Sequence, residues 1–153
     1  MTTTISDVMR KKLETIEGTA SVQQAAKKMK DSNISSLLVV DEKGKSQGIV
    51  SERDLVTKVC TNDISASAIT NREIMSSPLI TISSKSSPSE AADMMLQHNV
   101  RHLLVVDRGG DDDNTSNLNK PIGIITPLDF TRYQEYANDK DKDTIEKILE
   151  YYI

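Results

Sequence analysis

Asn33-Ile34-Ser35-Ser36-Leu37-Leu38-Val39-Val40-Asp41 and Asn99-Val100-Arg101-His102-Leu103-Leu104-Val105-Val106-Asp107 are one phrase written twice, residue 33 answering to residue 99 at an offset of 66. A repeat of this period settles the architecture before any local propensity is weighed. The same offset carries Val8-Met9 to Ile74-Met75, Thr15-Ile16 to Thr81-Ile82, and Ala25-Ala26 with Met29 to Ala91-Ala92 with Met95. Downstream, Gly48-Ile49-Val50-Ser51-Glu52-Arg53-Asp54 answers to Gly123-Ile124-Ile125-Thr126-Pro127-Leu128-Asp129 at an offset of 75, so the second copy carries nine inserted residues.

The four-residue apolar cores of the phrase, Leu37 to Val40 and Leu103 to Val106, each end at Asp and predict strands buried on both faces. Ser21 to Met29 and Ser87 to Met95 place Ala, Met and Val or Leu at helical spacing behind a Ser, which predicts short amphipathic helices with Ser near the N-cap. Gly48-Ile49-Val50 and Gly123-Ile124-Ile125 predict a further strand in each copy. Glu52 to Val59 and Leu128 to Tyr136 predict a second helix. Each unit is thus β-α-β-β-α, and the fold class is α+β. Such a unit is too small to bury its own sheet, so the copies are expected to pack sheet to sheet with pseudo-two-fold symmetry. Repeat 1 is read over 1–66, repeat 2 over 67–137, and a C-terminal helix over 138–153. On that helix Ile145, Ile148, Leu149 and Tyr152 share one face, which is expected to pack on the body or at a dimer contact.

Composition bounds the function. Of 153 residues 37% are apolar and 27% charged, which suits a folded globular chain. With one Phe, four Tyr and no Trp, the core has to come from aliphatic residues. A net charge of −4 argues against a protein that grips nucleic acid, which needs a concentrated basic face. The lone Cys60 supplies neither a disulfide framework nor a metal cluster and is read as an inert small hydrophobe. No apolar run reaches membrane-spanning or signal-peptide length, so the cytoplasm is the expected compartment and no membrane partner is expected. The inserted segment, Arg108 to Lys120, holds Gly109-Gly110-Asp111-Asp112-Asp113-Asn114 and reads as a lengthened hairpin loop. Its acids lack the spaced ligands of an EF-hand, so a solvated loop is favoured over calcium. The chain shows no nucleophile-base spacing, metal cluster or P-loop, and no enzyme activity is expected.

A duplicated unit with a buried strand ending in Asp, then glycine-apolar-apolar-hydroxyl-x-x-Asp, resembles the CBS domain, named after cystathionine β-synthase. The resemblance runs from about Val8 to about Tyr136 and implies a tandem pair, termed a Bateman module, that associates as a homodimer. It further implies a regulatory adenine nucleotide, AMP, ADP, ATP or a related adenosyl ligand, with no cofactor required. In the family the hydroxyl of the second motif bonds phosphate and the Asp accepts from the ribose diol, which assigns Ser51 with Asp54 and Thr126 with Asp129. The residue types suit the task. A carboxylate offers two acceptor oxygens to a vicinal diol, and a hydroxyl at a helix start sits beside N–H groups favourable to an anion. The competing reading makes Ser51 and Thr126 plain N-caps and the two acids first-turn acids.

The family's adenine slot corresponds here to Thr15-Ile16 with Asn33-Ile34-Ser35, and to Thr81-Ile82 with Asn99-Val100-Arg101. Arg101 is the expected phosphate-reaching cation, and His102 is expected only to cap the strand. Ser35 and Ser36 offer no such charge in the first copy, so the two clefts are expected to differ in phosphate preference. Pro127 removes one N–H beside Thr126, at little cost in a first helical position. His98 is read as a helix C-terminal partner, and Lys27-Lys28-Lys30 as a solvated face. A pair of repeats with no effector of its own would act in trans on a regulated protein the sequence does not name. The rival class is a ligand-independent dimerisation scaffold.

Overall fold

The computed structural model describes residues 3–107, 120–133 and 139–152. Its first elements are α1 (Ile5–Val8), β1 (Thr15–Glu17), α2 (Val22–Ser32), β2 (Ser36–Val40), β3 (Ser46–Ser51) and α3 (Glu52–Asp54). The helix begun by α3 continues as a π turn, Leu55–Val59, and a 3-10 turn, Cys60–Asn62. There follow α4 (Asn71–Ile74), β4 (Thr81–Ser83), α5 (Pro88–His98), β5 (Leu103–Asp107) and β6 (Lys120–Ile125). A 3-10 turn, Pro127–Asp129, then leads to α6 (Phe130–Tyr133) and α7 (Asp139–Tyr152). The expected hairpin loop lies, except for Lys120, outside the described residues, as do the last residues expected of the second helix, 134–136.

Each copy repeats the other down to its irregularities. α2 opens on a capping box in which Ser21 Oγ accepts from the Gln24 N–H at 3.2 Å and Gln24 Oε1 accepts from the Ser21 N–H at 3.3 Å. Ser87 and Glu90 do the same for α5 at 3.1 and 3.3 Å, with Pro88 in the first helical position. Both helices stop on an asparagine in the left-handed region, Asn33 at φ 54° and Asn99 at φ 53°. In each sheet the first strand runs parallel to the middle one and the third antiparallel, in the orders β1-β2-β3 and β4-β5-β6. The register slips at Val39/Val40 and again at Val105/Val106. The middle strands are flanked on both edges, and Leu37, Leu38, Val39, Leu103, Leu104 and Val105 are buried as a continuous apolar run requires.

The chain divides into two compact units, 13–79 and 1–12 with 80–153. These are offset from the repeats of 1–66 and 67–137, because the short helix that opens each repeat in sequence docks on the other. The Ile5 N–H donates to Ser86 O at 2.9 Å and the Ser6 N–H to Ser84 O at 3.1 Å. At the same offset of 66, the Asn71 N–H donates to Ala20 O at 3.0 Å and the Arg72 N–H to Gly18 O at 2.9 Å. Close approach of backbone to backbone completes each dock. Gly48 lies against Met75 and Ser76, and Gly123 against Met9 and Arg10, where a side chain would intrude.

Each unit has one aliphatic core. In 13–79 it is built on Val22, Ala25, Leu37, Val39, Val50 and Ile74. In the other unit Ile82, Met95, Leu103, Ile125 and Phe130 are joined by Ile145 and Ile148 of α7, both with no exposed surface. Burying two isoleucines contributes about 2 kcal/mol each, which fixes α7 to the body of this unit. Cys60 is exposed and so plays no part as a core hydrophobe.

Candidate functional site

Strand pairing brings the site together. Ser36 lies opposite Ser51, so the start of β2 meets the end of β3, and the Glu52 N–H donates to Ser35 O at 2.9 Å. Ser51 leaves the sheet extended, at φ −129° and ψ 165°, and is the N-cap of α3. Its Oγ accepts from the Asp54 N–H at 3.3 Å. Asp54 Oδ2 accepts from the Ser51 N–H at 2.9 Å and from the Ser51 hydroxyl at 3.0 Å. The remaining oxygen, Oδ1, pairs with Lys58 Nζ at 3.0 Å, one turn on, and that ammonium also donates to Ile74 O at 2.8 Å. Ser51 and Asp54 are 7% and 8% exposed, so the carboxylate is desolvated and needs these donors. The helix then widens into the π turn that carries Lys58, a feature frequent at functional sites.

The second copy builds the same corner with different parts. Thr126 is extended at φ −129° and ψ 164°, and its N–H donates to Asp129 Oδ2 at 2.9 Å. Asp129 is 4% exposed. Leu103 lies opposite Ile125 as Leu37 lies opposite Val50, so Arg101 answers in register to Ser35. Proline has no N–H, so the bond that ties Ser35 O in the first copy has no counterpart to Arg101 O.

Of the residues expected to shape an adenine slot, only some reach these corners. Ser35 does, through its carbonyl. Asn33 and Asn99 are helix C-caps, while the Ile34 and Val100 N–H groups close the ends of α2 and α5 on Met29 O and Met95 O, both at 3.0 Å. Thr15 and Ile16 lie in β1, opposite Leu38 and Val39 on the edge of β2 away from β3, and Thr81 and Ile82 repeat this opposite Leu104 and Val105. Ile16 and Ile82 point into the cores. Thr15, Ile16, Glu17, Lys28 and Asp41 instead line a separate open groove of about 440 Å³, in which Lys28 donates to Thr15 O and pairs with Glu14 at 3.6 Å.

Arg101 has a partner the sequence did not suggest. Its guanidinium stands over the Tyr152 ring, 5.1 Å from the centroid. The Tyr152 hydroxyl donates to Met95 O at 3.2 Å, and its pKa is raised, first by burial and then by Tyr151, against a lowering from Arg101. Lys58 was also missed, although its i, i+4 spacing from Asp54 was open to view. Among the described residues no group of three or more His, Cys, Asp or Glu could hold a metal ion, and no helix is long and apolar enough to cross a membrane.

Comparison with known proteins fits this geometry. An uncharacterised protein of Methanopyrus kandleri is 31% identical over 146 residues, covering 95% of this chain and 70% of that protein. A conserved CBS domain protein of Thermoplasma acidophilum superposes with a TM-score of 0.75 at 21% identity, over 98% of this chain and 78% of the other. The CBS domain pair of protein MJ0100, solved in complex with 5′-methylthioadenosine and S-adenosyl-L-methionine, superposes with a TM-score of 0.71 at 28% identity, over 89% of this chain and 98% of the other. The CBS domain model itself matches residues 5–60 and 72–136, one segment for each β-α-β-β-α repeat, and the chain therefore belongs to the CBS domain family as a tandem pair, or Bateman module.

Proposed function

We propose that this CBS-fold regulatory module binds adenosyl ligands, AMP, ADP, ATP or a related compound, at its two strand-to-helix corners, and that it catalyses nothing itself. The observation that carries the reading is the buried acid beside a hydroxyl-bearing helix start, present at the same register in both copies. Asp54 and Asp129 are the ribose-binding acids, and Ser51 and Thr126 the hydroxyls for a phosphate or other polar ligand group. The complex of the MJ0100 domain pair with two adenosyl compounds supports this choice of ligand class. As a cytoplasmic homodimer, the module would present ligand occupancy to a separate regulated protein, with neither nucleic acid nor membrane as partner.

Isothermal titration with AMP, ATP and S-adenosylmethionine tests the reading on the wild type, Asp54→Ala and Asp129→Ala. Each variant is expected to lose one site. Binding weaker than millimolar for every compound, or variants that bind like the wild type, would overturn it. One observation favours the rival scaffold: Asp54 is fully engaged within its own helix by Ser51 and Lys58, as a purely structural helix-start acid would be. A stable dimer whose melting temperature no nucleotide shifts would be that scaffold's signature.

A further inference from the structure

We infer that Lys58 is a specificity-determining residue of the first corner, and that its ammonium selects adenosyl ligands with an anionic 5′ group over neutral or cationic ones. This rests on the ligand-binding reading above and adds the charge class of the ligand. The cation stands on the acid that would hold the ribose, with Nζ 3.0 Å from Asp54 Oδ1. It is also tied a second time, because Nζ donates to the carbonyl oxygen of Ile74, the last residue of α4, at 2.8 Å. A surface lysine usually spreads its charge over the many rotamers of a flexible stem. Lys58, although its side chain is 44% exposed, is held at the corner by two acceptors from different elements.

The other charges of this turn, Glu52 and Arg53, are exposed, adjacent and opposite in sign, so their fields largely cancel. Asp54 is 8% exposed, and a phosphate beside it with no cation at hand would meet a buried charge of its own sign. A ribose that takes Asp54 displaces the ammonium from that acid, while Ile74 O still holds it at the corner. The cation then lies about one ribose from the ligand's 5′ carbon, a span comparable to the roughly 8 Å screening length at physiological salt. A 5′-phosphate gives it a new partner. Adenosine has no charge to offer, and the sulfonium of S-adenosylmethionine repels it. In the second copy Tyr133 stands at the position of Lys58, so this selection belongs to the first corner.

The test uses Asp129→Ala, in which only the first corner is left to bind, titrated with AMP, adenosine and S-adenosylmethionine. Adding Lys58→Met, which keeps the apolar stem and removes the charge, is expected to lower the preference for AMP over adenosine about five-fold, the scale of one partly exposed ion pair. The same change should raise the affinity for S-adenosylmethionine relative to adenosine, and Lys58→Arg should preserve the order of the three. A folding defect weakens all three compounds alike, so the ratios separate it from a loss of selection. In Asp54→Ala, which leaves only the second corner, Lys58→Met is expected to change neither ratio. Unchanged ratios in the Asp129→Ala/Lys58→Met protein overturn the selection by Lys58 while leaving the proposed function standing, and so does an Asp129→Ala protein that binds none of the three when wild type does. No binding by wild type at either corner overturns both.

Discussion

Gly48→Ala should be among the most damaging single-methyl additions in the chain, and its cost can be worked from the dock that α4 makes on β3. A Cβ at Gly48 would lie 2.7 Å from Met75 Sδ, 2.9 Å from Met75 Cγ and 2.8 Å from the backbone oxygen of Ser76. The methionine can swing away. The carbonyl cannot, because Ser76 exchanges two hydrogen bonds with Ile49, donating its N–H to Ile49 O at 2.8 Å and accepting from the Ile49 N–H at 3.1 Å. Relief thus requires stretching both bonds, each worth about 1 kcal/mol net, or overpacking at about 1–3 kcal/mol. The two routes together bracket a loss of about 1–3 kcal/mol, which for a chain of this size lowers Tm by roughly 2–12 °C. The matched site provides the control. At Gly123 the same Cβ would stand 3.0 Å from Met9 Sδ and 3.2 Å from Arg10 O, where a shift of a few tenths of an ångström suffices, and about 1 kcal/mol is expected. Urea denaturation of Gly48→Ala, Gly123→Ala and Gly48→Ala/Met75→Ala measures the series, and the double variant should recover only part of the loss because the carbonyl stays in place. Gly48→Ala within about 0.5 kcal/mol of wild type, or Gly123→Ala costing more, would refute the docking argument.

Ser51→Ala removes both the hydroxyl that caps α3 and one donor to Asp54, and should cost about 1 kcal/mol by denaturant midpoint. Ile148→Ala opens a cavity beneath a fully buried side chain of α7 and should cost about 2–5 kcal/mol, read as a fall in Tm. Glu73 accepts from the Thr70 N–H at 2.8 Å and the Thr70 hydroxyl at 2.9 Å, and those two bonds hold its carboxyl below the ordinary value of 4.5. A depressed folded pKa means stabilisation that is complete above the unfolded pKa and lost as pH falls through the folded one. Glu73→Gln should therefore be less stable than wild type at neutral pH, with the gap narrowing as pH falls below that ordinary value, in denaturant midpoints measured across the acid range.

The sequence carried the repeated elements plainly because duplication supplies its own control. A Ser before an Ala-Met helix, or four aliphatics before an Asp, is a weak signal once and a strong one at a fixed offset. What it did not carry was the choice of partner. Val8-Met9 and Ile74-Met75 announce that the opening segments are buried, but hydrophobic periodicity states that a face is covered and not by what. Their exchange between repeats therefore had to be seen. Asn33 and Asn99, read as slot residues, also stop α2 and α5, since asparagine is the ordinary non-glycine occupant of a left-handed cap. The Asp54–Lys58 pair was available in the spacing. Arg101 over Tyr152 was not, because a ring packed on a guanidinium fifty-one residues away leaves no local pattern.

The two corners diverge just where their chemistry matters, and the divergence has a direction. In the first copy Ser35 O is tied by the Glu52 N–H, Asp54 by Ser51 and by the cation four residues on, and that cation also donates to Ile74 O of α4. In the second copy the position of Glu52 is taken by Pro127, which has no N–H to give, and that of Lys58 by Tyr133. The arginine that replaces Ser35 turns outward to α7. A ligand that takes Asp54 at the first corner has to displace an ammonium that also holds Ile74 O. At the second, Arg101 lies over a ring on the helix that Ile145 and Ile148 fix in the core of its unit. On the proposed reading, the first corner is linked through Lys58 to Ile74 O of α4, whereas Arg101 of the second copy lies over Tyr152 of α7.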